Sequence, residues 1–231
     1  MKLTILNPKN PDQAFPSVKK ALKEPDGLLA IGGCLSKNRL INAYRQGIFP
    51  WYNPGEPILW WSPDPRLVLY PEKLFISRSL RKTLRQSNYS VTIDQAFDQV
   101  INSCAEPRPG QSGTWITNDI KQAYGELFRL GIAHSAETWV EGKLVGGLYG
   151  IALGQVFFGE SMFHTQTDAS KVAFATLVDK LKSWGYRLID CQVHSQHLVS
   201  LGAEEISRDD FGQLLGQYCE MTASPSAWKP A

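Results

Sequence analysis

Between Trp139 and Gln192 the spacing of apolar positions changes repeatedly, and each change predicts a different element. Leu144 to Ala152 reads as a strand, Gly154 marks a tight turn, and Gln155 to Phe163 reads as a second strand, so the two should pair as a hairpin. From Asp168, whose carboxylate is a candidate helix N-cap, Val172, Phe174, Leu177, Val178, Leu181 and Trp184 recur at helical spacing until Gly185 stops the helix. Leu188 and Ile189 resume an extended segment. Asp190 and Gln192, two apart, then project from one face of it and Cys191 from the other.

The rest of the chain obeys the same rules. Residues 1 to 35 are rich in Pro, Asn and Gly, and Gly27, Gly32 and Gly33 imply tight turns around the apolar run GLLAIGGCLS. Ser36 should cap a helix to about Gln46, with Gly47 as its stop. In IFPWYNPGEPILWWSPDPR the prolines argue against regular helix or central strand, so a rigid loop rich in tryptophan is expected. Leu67 to Tyr70 reads as a strand, Ser77 opens a short helix, Ile93 to Cys104 reads as a helix, and PRPGQSGT as a loop. Thr117 opens a helix through Leu130, and Ala133 to Trp139 is a strand feeding the hairpin. HSQHLVSLGA should hold a short helix, Glu205 and Ile206 a last strand, and Ser207 should cap a helix to about Cys219. The tail TASPSAWKPA is expected to be loosely held.

Composition narrows the class of protein without naming a partner. With 43% hydrophobic residues, 20% charged residues and a net charge of +2, the chain is an ordinary globular protein, so any contact with nucleic acid must come from a local patch. One such patch exists. Arg78, Arg81, Lys82 and Arg85 fall on one helical stripe with nothing acidic beside them, which is either a solvated face or the footprint of a phosphate backbone. The N-terminus lacks the apolar core of a signal peptide and no apolar run is long enough to span a bilayer, so a cytoplasmic protein without membrane contact is expected. The four scattered cysteines fit reduced thiols better than disulfides.

Candidate chemistry centres on Glu160, Asp190 and Gln192, polar groups that interrupt apolar segments and would each be costly to bury unpaired. Glu160 lies among Phe157, Phe158, Met162 and Phe163. An alternative makes Asp190 the cap of the following helix and leaves Gln192 on the surface. Cys191, His194 and His197 are spaced like metal ligands, but the cysteine would point away from the histidines, so no metal is expected. No nucleophile elbow, phosphate loop or dinucleotide fingerprint occurs.

The order helix, strand, hairpin, helix, strand resembles the core of the GNAT acyltransferases, which implies an α+β fold: a GNAT-like core with a small N-terminal domain, divided here as residues 1–65 and 66–231. Where those enzymes bind coenzyme A pyrophosphate on a glycine-rich loop, this chain reads HTQTDAS, and Asp168 would repel a phosphate. The donor therefore need not be acyl-CoA, although a GNAT N-acetyltransferase and a non-enzymatic RNA-binding module remain as alternatives. The segments GLLAIGG, LINAYRQGIFPW, LWWSPDPR, ISRSLRK, TWIT, AHSAETW, LVGGLYG, FFGESMF, LIDCQ and SLGAEEISR, in that order, resemble the bacterial leucyl/phenylalanyl-tRNA protein transferases.

That resemblance implies transfer of Leu or Phe, less readily Met, from aminoacyl-tRNA to proteins with N-terminal Arg or Lys, in the N-end rule pathway, by a monomer without a cofactor. It makes Asp190 and Gln192 the catalytic pair and has Glu160 place the substrate amine. Leu148, Phe157, Phe174, Leu177 and Leu181 would shape the apolar pocket, Trp51 and Trp115 would lie near the acceptor-end adenosine, and the basic stripe would hold the acceptor stem. Phe157 and Glu160 have opposite strand parity and share one site only if the strand is bulged, which places a bulge at Gly159. The chain departs from the family at Cys34, where Asp is common, at His164, where Ser is usual, and at Ser195, where Asn is usual. The last two lie near the site and change the hydrogen bonding around it.

Overall fold

Two sheets share one chain. A computed structural model describes residues 3–86, 88–107 and 114–229. The segments are β1 (Thr4–Leu6), β2 (Leu28–Gly32), α1 (Lys37–Arg45), β3 (Phe49–Pro50), β4 (Leu59–Trp61), β5 (Arg66–Leu69), α2 (Arg78–Gln86), β6 (Ser90–Ile93) and α3 (Phe97–Cys104). Next come α4 (Asn118–Arg129), β7 (Ala133–Val140), β8 (Lys143–Leu153), β9 (Val156–His164), α5 (Ala169–Ser183), β10 (Leu188–Gln192), α6 (Gln196–Val199), β11 (Glu204–Ile206) and α7 (Arg208–Tyr218). The smaller sheet has the order β1-β2-β4-β3 and the larger β11-β5-β10-β9-β8-β7-β6. Among the described residues no helix is long and apolar enough to cross a membrane.

The expected hairpin, helix and strand are β8, β9, α5 and β10, and they supply the middle of the larger sheet. Side chains alternate across it. Tyr149, Phe158 and Leu188 face a core shared with α1, α3, α4 and the smaller sheet, while Leu148, Phe157 and Ile189 face α5. Helix α5 sits close on the sheet because Gly146 has no side chain: a Cβ there would lie 2.6 Å from that of Ala169.

Helix starts agree with their caps. The side chains of Ser36, Thr117 and Ser207 accept from the backbone N–H groups of Arg39, Ile120 and Asp210, as the sequence predicts. Asp168 does not act this way. Its backbone is left-handed (φ 63°), and its carboxylate accepts instead from Lys171 Nζ at 2.9 Å.

Three other expectations are corrected. Leu59–Trp61 is a central strand of the smaller sheet, since Pro57 and Pro63 flank it without entering it, and Pro50 stands on edge strand β3 where a missing N–H costs little. Ile93 ends a strand rather than opening a helix: Ser90–Ile93, with the β-branched run Val91–Ile93, pairs with β7, and Asp94, at φ 58°, breaks the chain before α3. Most of the loop expected after Cys104 lies outside the described residues.

The tail is docked, not loose. Trp228 stacks on His134 at 3.7 Å between ring centroids, packs near Trp184 and Phe157, and donates its indole N–H to the Tyr186 hydroxyl at 2.7 Å. The Ser224 N–H donates to the Trp184 carbonyl and the Gln155 amide to the Thr222 carbonyl. Trp228→Ala should therefore cost about 2 kcal/mol of stability in urea unfolding. A loss below about 0.5 kcal/mol, the scale of an ordinary surface change, would return the tail to a loose segment.

Candidate active site

Strands β9 and β10 are neighbours over only a short length. They pair in parallel from Val156 and Leu188 to Phe158 and Asp190. Beyond that point β9 continues to His164 on β8, while β10 turns away along β5, so the middle of the sheet opens between them. Two irregularities cause the separation. The β8–β9 register slips so that Tyr149 pairs with Ser161 and Gly150 with Gly159, leaving Glu160 as the extra residue of a bulge. On β10, Gln192 adopts a left-handed backbone at φ 64°. Gly150 permits the bulge, because a Cβ there would meet the Phe158 carbonyl oxygen at 2.2 Å and the Phe157 ring at 2.6 Å.

Across the opening the Gln192 side-chain amide donates to Glu160 Oε1 at 2.9 Å. Glu160 also accepts from the Tyr44 hydroxyl at 2.7 Å and from the Tyr124 hydroxyl at 3.0 Å, and those two hydroxyls bond each other. The Glu160 carboxyl is raised to about 8: burial and, to a smaller extent, the charge of Asp190 push it up against the pull of the two tyrosine bonds and Arg66. Tyr149 lies edge-on to Tyr124, and its buried hydroxyl has no hydrogen-bond partner among the described residues.

Asp190 is fully buried and does not cap α6. Arg66 grips both its oxygens, Nε to Oδ1 at 2.8 Å and Nη2 to Oδ2 at 2.7 Å, and the Gln192 N–H donates to Oδ1 at 2.9 Å. Arg66 in turn donates to the Gly47 carbonyl at 3.1 Å and lies between the Phe49 and Phe211 rings. Asp190 thus acts on Gln192 through its backbone, while the Gln192 amide is directed at Glu160. Cys191 is partly buried on the α5 side, as parity requires, and burial raises its thiol pKa.

The remaining sequence candidates divide among separate places. Leu148, Phe157, Phe174, Leu177 and Leu181 come together as expected, but as a closed core between the sheet and α5. The bulge falls beside Gly159, yet it does not bring Glu160 to the Phe157 face. It reverses the parity of the residues beyond it, so that Met162 joins Phe157 and Glu160 stays with Phe158. Trp51 is exposed and tilted against Trp61; Trp115 is partly buried on the first core. Ser195 opens α6 without a side-chain cap bond, and His164 Nδ1 lies 3.4 Å from the Ser170 hydroxyl.

Arg78, Arg81, Lys82 and Arg85 are all exposed and form no salt bridge among the described residues. An open groove of about 420 Å³ beside them is bordered by Lys82, Thr83, Tyr89, Thr167 and Asp168. Among the described residues no group of three or more His, Cys, Asp or Glu could hold a metal ion. Sequence reasoning missed Arg66, Tyr44 and Tyr124 as members of the site. Their only signal was polar tips on positions otherwise buried, which does not reveal a partner.

Comparison with known proteins agrees with the sequence resemblance. The family model described as leucyl/phenylalanyl-tRNA protein transferase matches residues 68–216, and the model of that family's N-terminal domain matches 33–64. A leucyl/phenylalanyl-tRNA–protein transferase of Methylococcus capsulatus is 59% identical over 99% of this chain and 97% of its own length. Those of Nitrosomonas europaea and Pseudomonas syringae are 56% and 58% identical, each over 94% of this chain and over 92% and 94% of their own lengths. Among solved structures, a GCN5-related N-acetyltransferase from Kribbella flavida matches with a TM-score of 0.37 and 12% identity, over 70% of this chain and 57% of that one.

The buried ion pair yields a direct test. Arg66→Met should destabilise the protein by about 3–5 kcal/mol, because it leaves a carboxylate buried without its partner. Adding Asp190→Leu should recover part of that loss in chemical denaturation. A double variant no more stable than Arg66→Met would show that the pair is not coupled in this way.

Proposed function

We propose that this chain, which belongs to the leucyl/phenylalanyl-tRNA protein transferase family and is an aminoacyltransferase, moves Leu or Phe, and less readily Met, from aminoacyl-tRNA to the N-terminal Arg or Lys of acceptor proteins. Proteins extended in this way would enter N-end rule degradation. The observation that carries the reading is the Gln192–Glu160 bridge across the opening between β9 and β10. An aminoacyl ester is already activated, so the chemistry needs no cofactor; it needs an amine held against a carbonyl.

In this reading Gln192 gives its amide N–H to Glu160 and so presents its carbonyl oxygen to the acceptor amine. Asp190, held by Arg66, fixes the backbone that aims Gln192 and is a positioning residue. The opening would receive the ester carbonyl. The donor side chain would pass to the α5 face among Leu148, Phe157, Phe174, Leu177 and Leu181, which must shift to admit it because they are closely packed. Trp51 and Trp115 would flank the terminal adenosine, with Ser195 near the acceptor. Residues 1–65, as an N-terminal unit, would contribute Tyr44 and Trp51, and residues 66–231 the rest. The basic stripe would track the acceptor stem. We place the reaction in the cytoplasm, where aminoacyl-tRNA is held, and assign it to the monomer.

Incubation with charged Leu-tRNA or Phe-tRNA and a peptide beginning with Arg should extend the peptide by one residue. Acetyl transfer from acetyl-CoA without extension would sink the reading. In single-turnover assays Gln192→Ala should slow transfer about 100-fold, as expected for a misplaced reactant, with little change in KM for aminoacyl-tRNA. A change confined to KM would reduce Gln192 to a binding residue. Changing Arg78, Arg81, Lys82 and Arg85 together to Ala should flatten the salt dependence of tRNA binding by about 3 in log–log slope. An unchanged slope would make the stripe an ordinary solvated face.

A further inference from the structure

Glu160, Tyr44 and Tyr124 form a closed ring of contacts, each carboxyl oxygen meeting one hydroxyl and the hydroxyls meeting each other. Every contact needs one proton between two oxygens. Each phenol brings one, and an ionised carboxylate brings none. Two hydroxyl protons therefore leave one of the three contacts with lone pair against lone pair, in a place where an unmade hydrogen bond is costly. A protonated Glu160 supplies the missing proton, and the ring then closes in either direction. The bond from the Gln192 amide suits both states of the carboxyl.

The surroundings favour the same state. Tyr149 from β8 and Asp190 from β10 face Glu160 with Tyr44 from α1 and Tyr124 from α4, and the nearby cation, Arg66 from β5, is committed to Asp190. Burial raises the Glu160 carboxyl to about 8, in agreement with the proton count. Of these titratable groups only Glu160 keeps exposed surface, so the tyrosines act through it.

We propose, resting on the aminoacyl-transfer reading, that the Tyr44–Tyr124–Glu160 ring stores the proton exchanged in the reaction, with Glu160 as a catalytic residue and the two tyrosines as its positioning residues. The neutral α-amine of the acceptor attacks the ester carbonyl carbon, a C–N bond forms, and the bond from that carbon to the ribose oxygen breaks. Glu160 gives its proton to the departing oxygen. The attacking nitrogen gives one of its protons to the carboxylate, so the ring ends with the protons it began with. An α-amine titrates at about 7.7–8.0, so the store and the nucleophile are closely matched.

Two measurements test this. Difference infrared spectroscopy of the protein without substrate, at neutral pH, should show a protonated-carboxyl band that is absent in Glu160→Gln and shifted in Tyr44→Phe and Tyr124→Phe. In single-turnover transfer, the wild-type rate should fall on the alkaline side as Glu160 loses its proton near pH 8. Each hydroxyl both donates to the carboxylate and takes part in the contact that lacks a proton, so removing either should move that limb from its wild-type position. Glu160→Gln should slow transfer about 100-fold and abolish the limb. Phenylalanine keeps the ring packing, and thermal unfolding identifies any variant that fails to fold. No carboxyl band in the wild type, or tyrosine variants slowed equally at every pH with the limb unmoved, would overturn the proposal. A wild-type chain that shows the band yet extends no peptide would overturn the transfer reading, and with it the catalytic step, while leaving the neutral carboxyl established.

Discussion

The site depends on one buried ion pair, Arg66 with Asp190. Isolated charges at such depth would be costly, and here each is met on several sides: the guanidinium by both carboxylate oxygens, by the Gly47 carbonyl and by two aromatic faces, and the carboxylate by the Gln192 N–H as well. The partners come from β3, β5 and β10, from the turn after α1 and from α7. A single charge pair thereby joins the smaller sheet's neighbourhood to the end of β10 and holds Gln192 in the backbone form that aims its side chain over the opening. Replacing the pair with apolar groups could preserve packing, but it would remove the acceptor that fixes the Gln192 backbone.

The second constraint is the division of the sheet into two unlike faces. On one, tyrosines from α1 and α4 surround Glu160; on the other, α5 closes over aliphatic and aromatic side chains. Glu160 keeps the parity of Phe158 and so occupies the first face at the point where β9 loses its neighbour, while the bulge reverses only the residues beyond it. In the proposed function a polar head and an apolar tail of one small substrate, such as an amino acid esterified to RNA, would meet the two faces through the same gap once the packed side chains on the α5 side shift.

Much of this was legible in the sequence, and the parts that were not share a cause. The hairpin, α5 and β10 follow from local periodicity, and the helix starts at Ser36, Thr117 and Ser207 follow from hydroxyls one residue before an apolar repeat. Glu160, Asp190 and Gln192 stood out because polar groups interrupted apolar runs. What they bind was invisible. Arg66 meets Asp190 across 124 residues of chain and Tyr44 meets Glu160 across 116, so no spacing rule connects them. Strand β4 was hidden by the prolines that flank it, and the tail by its composition, because nothing local reveals that Trp228 has His134 to stack on. A bulge at Gly159 was expected only as the way to bring Phe157 and Glu160 to one face; the bulge that exists makes Glu160 the extra residue and leaves the two on opposite faces.

Everything proposed for the site turns on the gap between β9 and β10 being the place where the acyl carbon and the amine meet. A structure of this protein with a non-hydrolysable phenylalanyl-adenosine, its amino acid joined through an amide to the ribose 3′ position, tests it most directly. The aminoacyl carbonyl should lie in the opening beside Gln192 and Glu160, with the phenyl ring displacing side chains around Phe157 on the α5 face. Binding of the aminoacyl group in the groove between α2 and the start of α5, with the Gln192–Glu160 bridge undisturbed, would contradict it.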